Sequence, residues 1–281
     1  MLNKVPDPVD YLVIGHVTRD LHAAGAAPGG TAAYAGLTAR ALGRQVGIVT
    51  VVGEDIDLEP LIELPIAGAW TEQSTCFENI AAPAGRRQRL HHQAPPVSPL
   101  MVPETWRSAR IVHLGPVAQE IHADFLRLFP NTFLGLTPQG WLRDFDPQGW
   151  VLPADWPEAG VVLGRVDAAV LSLEDLGGDR RRIADYAASC PTLVVTDGFR
   201  GARLFSDGEE FEIAASPAVE VDATGAGDIF AAAFFIYFER TRDALRAAQH
   251  AGRLAANSVE KHGLEGIPSP AEVEAELEEA L

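Results

Sequence analysis

The stretch Asp222-Ala-Thr-Gly-Ala-Gly-Asp-Ile-Phe-Ala-Ala-Ala-Phe-Phe-Ile-Tyr-Phe238 decides the reading of this chain. Its first seven residues mix glycine with acidic and hydroxyl side chains, and everything from Ile229 to Phe238 is apolar. A helix that is apolar all round must be buried. Its beginning, Gly225-Ala226-Gly227, presents free N–H groups and the positive end of the helix dipole, and residues this small let an anion approach closely. Asp228 falls in the first turn, beside that anion site. A blander reading also exists, with Thr224 as an ordinary N-cap, Asp228 complementing the dipole and the glycines forming only a tight turn. The remainder of the chain decides between the two.

Upstream, Tyr11 to Val17 is a short apolar run ending in glycine and polar residues, which predicts a buried first strand, and Val46 to Val52 predicts a second. Gly30 to Leu42 between them is rich in alanine and leucine and stops at Gly43, as a helix does. Buried strands are expected again at Ile111 to Gly115, Phe133 to Thr137, Ala168 to Leu173 and Thr192 to Thr196, with helices at Glu120 to Leu128 and Arg180 to Ser189. The pattern is that of a doubly wound α/β domain, a mainly parallel sheet with helices on both faces. Residues 73–93 read differently, as a hairpin turning at Pro83-Ala84-Gly85 with an arginine-rich second strand, a small β lid within one domain spanning residues 1–281. The proline-rich Gln93 to Pro103 returns from lid to core. Beyond Gly201 a hairpin with Asp207-Gly208 at its turn precedes three closing helices.

Composition narrows the function. A formal net charge of −17 argues against nucleic acid as a partner. Two lysines, Lys4 and Lys261, stand outside any glycine-rich loop, so there is no GxxxxGK[ST] phosphate loop, and any nucleotide must be held by backbone amides at a helix N-terminus. Two cysteines, Cys76 and Cys190, are too few for a disulfide framework and suit a reducing compartment. The apolar run ending at Phe238 is far short of the ~20 residues of a membrane span, and residues 1–10 lack a signal-peptide pattern. A soluble, cytoplasmic protein without membrane partners is expected, as monomer or homodimer. His91, His92 and His113 have no companions at metal-ligand spacing and read as structural or surface residues.

The Asp222–Asp228 segment resembles the D-[TS]-x-G-A-G-D signature of the PfkB, ribokinase-like carbohydrate kinases, departing only in the order of Ala223 and Thr224. That resemblance implies in-line transfer of the ATP γ-phosphoryl group to a hydroxyl. Asp228 would take the hydroxyl proton, and the Gly225, Ala226 and Gly227 amides would form an anion hole, in keeping with a reaction that needs positioning and charge stabilisation. Other segments are similar to the family in the expected order. Gly15-His-Val-Thr-Arg-Asp20 looks like the first strand whose aspartate holds substrate hydroxyls, Gly29-Gly30 like the double glycine beside the sugar, and Thr196-Asp-Gly-Phe-Arg-Gly201 like the nucleotide-binding turn. Thr196, Gly198, Gly201 and Thr224 are thereby implied on the donor side, with Asn257 bordering the adenine. Arg89, on the lid's second strand, is a candidate for reaching over the acceptor, although such arginines are more often solvated.

Departures from the family pattern carry expectations too. Only Leu21 to Pro28 separates Asp20 from Gly29, so the lid should be reduced and come mainly from Thr75 to Gln93. The family's N-x-x-E element, which orders Mg²⁺ through water, is replaced by Ser172-Leu-Glu-Asp175, leaving Asp175 or Glu174 to serve the metal. The Gly29-Gly30-Thr-Ala-Ala-Tyr34 pattern, the short first lid segment and Leu136-Thr-Pro-Gln-Gly-Trp141 look like the inositol-kinase-like branch. A small sugar, inositol or nucleoside is thus the expected acceptor. Two alternatives are a non-catalytic nucleotide or sugar sensor on the same scaffold and a dinucleotide-dependent oxidoreductase. The second lacks a G-x-G-x-x-G after its first strand.

Overall fold

In a computed structural model, residues 6–22, 25–82 and 85–278 are described. Short apolar runs rich in valine, leucine and isoleucine form a nine-stranded sheet. Its centre is β1 (Tyr11–Ile14), paired in parallel with β4 (Val46–Gly53) on one side, and β4 in turn pairs with β5 (Ile66–Thr71). On the other side follow β8 (Ile111–Leu114), β9 (Phe133–Leu136), β12 (Ala168–Ser172) and β13 (Thr192–Thr196), all parallel. The antiparallel strands β14 (Ala202–Ser206) and β15 (Glu209–Ile213) close that edge around the expected Asp207-Gly208 turn.

Residues of β1 alternate between two cores. Tyr11 and Val13 face a core shared with α1 (Gly30–Ala41), α4 (Ala226–Thr241) and α5 (Ala244–Ser258). Leu12 and Ile14 face a second core built from Trp106, Phe125 and Phe129 together with α2 (Ala159–Leu163) and α3 (Arg181–Ser189). The chain closes with α6 (Pro270–Glu278). Helix α4 is buried continuously from Ile229 to Tyr237, as its composition demands. His113 sits in the sheet with both ring nitrogens engaged, Nδ1 at 2.8 Å from the Tyr11 hydroxyl and Nε2 at 3.0 Å from Thr137 Oγ1. Burial holds its pKa down to about 3, so it is a neutral structural residue.

The structure differs from the sequence reading at three places. Residues 120–128 form only a 3-10 turn at Ala123–Arg127, because buried Glu120 turns back to accept bonds from the amides of His16, Val117 and Ala118. Strand β5 has weak alternation and lies at an edge, and the sequence did not signal it. The lid is a four-stranded sheet in the order β3-β2-β6-β7, comprising β2 (Thr18–His22), β3 (Gly25–Gly29), β6 (Cys76–Ala82) and β7 (Gly85–His92). The hairpin β6–β7 is the larger part of it, as expected, but β2 and β3 add two strands that the short segment after Asp20 did not suggest, and Asp20 is itself on a strand. The turn expected at Pro83-Ala84 lies outside the described residues. Beneath the lid, β10 (Arg143–Phe145) pairs with β11 (Val151–Pro153), and Phe77 packs with Val117, Phe145 and Val151.

Candidate active site

The strand order reverses its direction of growth between β1 and β8, and in open α/β sheets ligands bind beyond the carboxyl ends of strands at such a point. Gly15 and Gly115 follow those two strands, and the residues singled out from the sequence follow the ends of β1, β12 and β13 or begin α1 and α4, apart from Arg89 on β7 and Asn257 near the end of α5.

Gly225 caps α4 in the left-handed region at φ 80°, and a Cβ there would collide with the ring of Tyr34 on α1. The first helical hydrogen bond runs from Ile229 N to Gly225 O. The Gly227 and Asp228 amides therefore point out of the helix mouth with no carbonyl four residues back. The space around Gly227 is open. The Ala226 amide, expected in the same anion hole, lies 3.3 Å from Ala223 O and closes the turn instead. Asp222 tethers this turn: its carboxylate accepts from Thr224 N at 2.9 Å and from Gly263 N at 3.0 Å. Burial works to raise its pKa, but the bonds from Thr224 and Gly263 prevail and hold it low.

Asp228 is half-buried at the centre of the cleft. Burial raises its pKa to about 6; the Thr31 hydroxyl opposes this, Asp175 adds to it, Arg143 opposes it and Asp20 adds to it. Thr31 Oγ1 is itself buried without a well-formed hydrogen bond, so its contact with Asp228 is a loose one. A carboxyl with a pKa near 6 is ionised at neutral pH and basic enough to accept a proton.

Asp20 is buried and accepts from Thr18 Oγ1 at 2.7 Å. Its carboxylate lies over Gly29, where any Cβ would strike it, and a Cβ on Gly30 (φ 76°) would approach His16 O at 2.7 Å. The double glycine is thus needed to bring the N-terminus of α1 under the lid. Asp175 is pinned by Ser172 N at 2.8 Å and Gln139 Nε2 at 3.1 Å, while its own amide donates to Ser172 Oγ at 3.0 Å. The side chain of Glu174 is exposed on the same turn, so of the two metal candidates Asp175 acts on the cleft.

On the donor side Thr196 ends β13, Gly198 (φ 54°) opens a 3-10 turn, and Gly201 (φ 91°) would clash with Ile213 O if it carried a Cβ. The end of α5 meets the entry to the turn before α4, since Val259 O accepts from both Val221 N and Asp222 N. Asn257, half-buried, stands two residues before it. Arg89 is turned elsewhere: Nε donates to Gln148 O at 2.8 Å and the guanidinium lies 5.8 Å from the centre of the Trp150 ring.

Thr31, Arg143 and Asp222 are site residues that sequence reasoning did not single out. Arg143 is buried, donates from Nη1 to Val117 O at 3.1 Å and from Nη2 to Gln88 Oε1 at 2.6 Å, and lies 5.4 Å from the centre of the Phe77 ring. A hollow of about 510 Å³ between Phe129, Phe133, Arg165 and Arg242 opens at the other end of the strands and shares none of these groups.

Fold and site together define an α/β protein with a β lid over the carboxyl ends of its parallel strands. The sequence profile of the pfkB family of carbohydrate kinases matches residues 168–271, bearing out the resemblance to the PfkB, ribokinase-like family. A ribokinase of Bacillus subtilis is 39% identical over 83 residues, 29% of this chain and 28% of that protein. An inositol 3-kinase of Zea mays is 55% identical over 42 residues, 15% of this chain and 11% of that protein. These matches span less than a third of either relative's length. Among solved structures, a pyrophosphate-dependent kinase in the ribokinase family, complexed with a pyrophosphate analog and myo-inositol, superposes with a TM-score of 0.79 at 19% identity, covering 94% of this chain and 99% of that one. The ribokinase of Arabidopsis thaliana complexed with ribose and ATP gives 0.70 at 18% identity, covering 96% and 99%. Likeness at this level of identity establishes the fold.

Proposed function

We propose that this chain is a kinase that transfers the γ-phosphoryl group of ATP to a hydroxyl of a small polyhydroxylated acceptor, a sugar, inositol or nucleoside. The observation that carries the reading is Asp228, a carboxyl with a pKa of about 6 set in the open mouth of a buried helix. In the proposed reaction Asp20 orients acceptor hydroxyls, and Asp228 takes the proton of the attacking one as its oxygen bonds to the γ-phosphorus. The bond from that phosphorus to the bridging oxygen breaks, and ADP leaves with the electron pair. Charge on the migrating group is met by the Gly227 and Asp228 amides and the dipole of α4. Gly225, Gly29 and Gly30 serve by letting backbone approach, and Thr196, Gly198, Gly201, Thr224 and Asn257 line the donor's path.

Two donors occur among proteins of this fold, pyrophosphate in one neighbour and ATP in the ribokinase of Arabidopsis thaliana. ATP is favoured here by three apolar side chains beside the anion turn: Phe199, Val219 and Val221 are 81%, 75% and 50% exposed. Pyrophosphate has no use for such a surface, whereas an adenine does. Mg²⁺ is compatible with the residues present in a limited way. Asp175 offers one carboxylate to the cleft, and among the described residues no three His, Cys, Asp or Glu side chains converge on a point. That suits an ion carried mainly by donor phosphates and water, which would neutralise charge between the β- and γ-phosphates. The cytoplasm is the proposed location, since Cys76 and Cys190 are both free and buried. No helix among the described residues is long and apolar enough to cross a membrane.

The test is release of ADP or phosphate across a panel of polyols, ketoses and nucleosides, with ATP and pyrophosphate as alternative donors. Turnover with ATP and at least one acceptor, lost in Asp228→Asn, is expected. Saturable nucleotide binding with no turnover on any acceptor would instead identify the sensor.

A further inference from the structure

The four passages of the chain between the main sheet and the lid meet at one residue, His16. It is fully buried between β1 and β2, and the strand it feeds carries Asp20. Its ring Nε2 donates to Pro95 O at 3.0 Å, where the chain returns from β7, since a carbonyl can only accept. Its Nδ1 accepts from Thr75 Oγ1 at 2.7 Å, where the chain enters β6. Thr75 Oγ1 in turn accepts from Ala94 N at 2.9 Å, which binds those two passages to each other. The fourth passage, from β3 to α1, runs against the His16 carbonyl: a Cβ on Gly30 would stand 2.7 Å from that oxygen.

The backbone of His16 is held from the loop after β8 by Glu120, a carboxylate with no exposed surface. Oε1 accepts from His16 N at 3.0 Å and Oε2 from Ala118 N at 2.7 Å, while Val117 N lies 3.0 Å from both oxygens. The Glu120 carbonyl accepts from Val97 N at 2.9 Å. These bonds wind the loop tightly enough to hold Gln119 at φ 60°, a left-handed conformation uncommon in a residue with a side chain. We propose that Glu120 is a positioning residue for the acceptor: through the His16 amide it fixes the root of the lid, and with it the place of Asp20 over the double glycine. This rests on the functional reading given above and deepens it, tracing acceptor binding to a carboxylate that no substrate touches. Strands that all leave from one point shift together when that point loosens. The donor-side groups begin α4 and follow β13, and they share none of these bonds, so a loosened root misplaces Asp20 and spares the donor. A carboxylate that merely satisfied three amides would stabilise the fold without distinguishing one substrate from the other.

Glu120→Gln keeps the shape of the side chain but turns an amide N–H₂ towards backbone donors and leaves at least one of them unpaired. With ATP and whichever polyol, ketose or nucleoside turns over, the acceptor KM is expected to rise about tenfold, while ATP affinity by calorimetry and kcat at saturating acceptor stay within about threefold. Glu120→Asp, which retains the carboxylate, should recover part of the loss. In the absence of substrate, hydrogen exchange read by mass spectrometry should quicken in β2 and β6 and stay unchanged in α4. Thr75→Val removes the hydroxyl from His16 Nδ1 and Ala94 N, should give the same pattern more weakly, and carries the test where Glu120→Gln does not fold. Equal losses for ATP and acceptor, or lid exchange unmoved in these variants, would overturn the proposal and leave Glu120 as a brace for its own loop. A chain inactive on every acceptor would overturn the functional reading instead, and the exchange pattern alone would then decide whether Glu120 roots the lid.

Discussion

The floor and the roof of the cleft are held by different kinds of interaction. The floor consists of the first turns of α1 and α4, meshed by Tyr34 against Gly225 and backed by helices buried from Thr31 to Gly36 and from Ile229 to Tyr237. Its functional groups are backbone amides and one carboxylate, and packing fixes them. The roof is a four-stranded sheet whose contacts with the rest of the molecule are a small apolar cluster around Phe77 and individual polar bonds such as Gln88 to Arg143 and Arg89 to Gln148. Packed elements are stiff, and elements with few buried apolar contacts open locally at low cost. The difference assigns charge stabilisation to the floor and access to the roof.

The largest effect should come from the floor's carboxylate. Asp228→Asn is expected to lower kcat ~10²–10⁴-fold or more, with nucleotide affinity by calorimetry nearly unchanged. Equal losses in both would mean that the residue binds and does no acid–base work. Next, Gly225→Ala demands a Cβ where the Tyr34 ring stands and a residue other than glycine at φ 80°. It should cost ~1–3 kcal/mol in denaturant unfolding and abolish most turnover. A fully stable Gly225→Ala would show that the floor yields as easily as the roof.

A sharper test uses pH and stability together. The Asp228 pKa is raised in the folded chain, so the native state holds its proton more tightly than the unfolded one. Its contribution is favourable at low pH and is lost as pH rises from about 4 to about 6. Asp228→Asn should therefore raise Tm at pH 7.5, with the gain fading towards pH 4, while turnover of the wild type falls as pH drops below about 6. Asp222→Ala removes the acceptor of two amides in the floor's entrance and should cost ~1–3 kcal/mol with a smaller loss of activity than Asp228→Asn. At the roof's outer edge, Arg89→Ala should cost no more than ~1 kcal/mol and leave kcat close to wild type. A large acceptor KM effect there would bring Arg89 back as a substrate ligand.

The floor was legible in the sequence and the roof much less so. An all-apolar run after Gly225-Ala226-Gly227 can fold only as a buried helix with an open mouth, and valine-rich runs such as Val46 to Val52 have few alternatives to buried strands. The short lid strands carry no such signal, because β2 is polar but for Leu21 and β3 is glycine, alanine and proline. Their pairing depends on partners more than fifty residues away in β6. Arg143 was invisible for a related reason. In Trp141-Leu-Arg-Asp-Phe145 nothing distinguishes a buried arginine from a solvated one until β10 is placed under the lid. Asp222 was quoted as part of its motif, but its bond to Gly263 joins residues 41 positions apart, which spacing could not reveal.

The ring of Tyr34 seated on Gly225 makes α1 and α4 one mechanical joint. Neither helix can shift without carrying the other, and in the proposed reaction the spacing between an alcohol and the group it attacks is therefore set below the lid, whatever the alcohol. Descendants of such a chain are free to exchange one acceptor for another by redecorating the canopy above, while the hinge-pin below keeps the reaction in line.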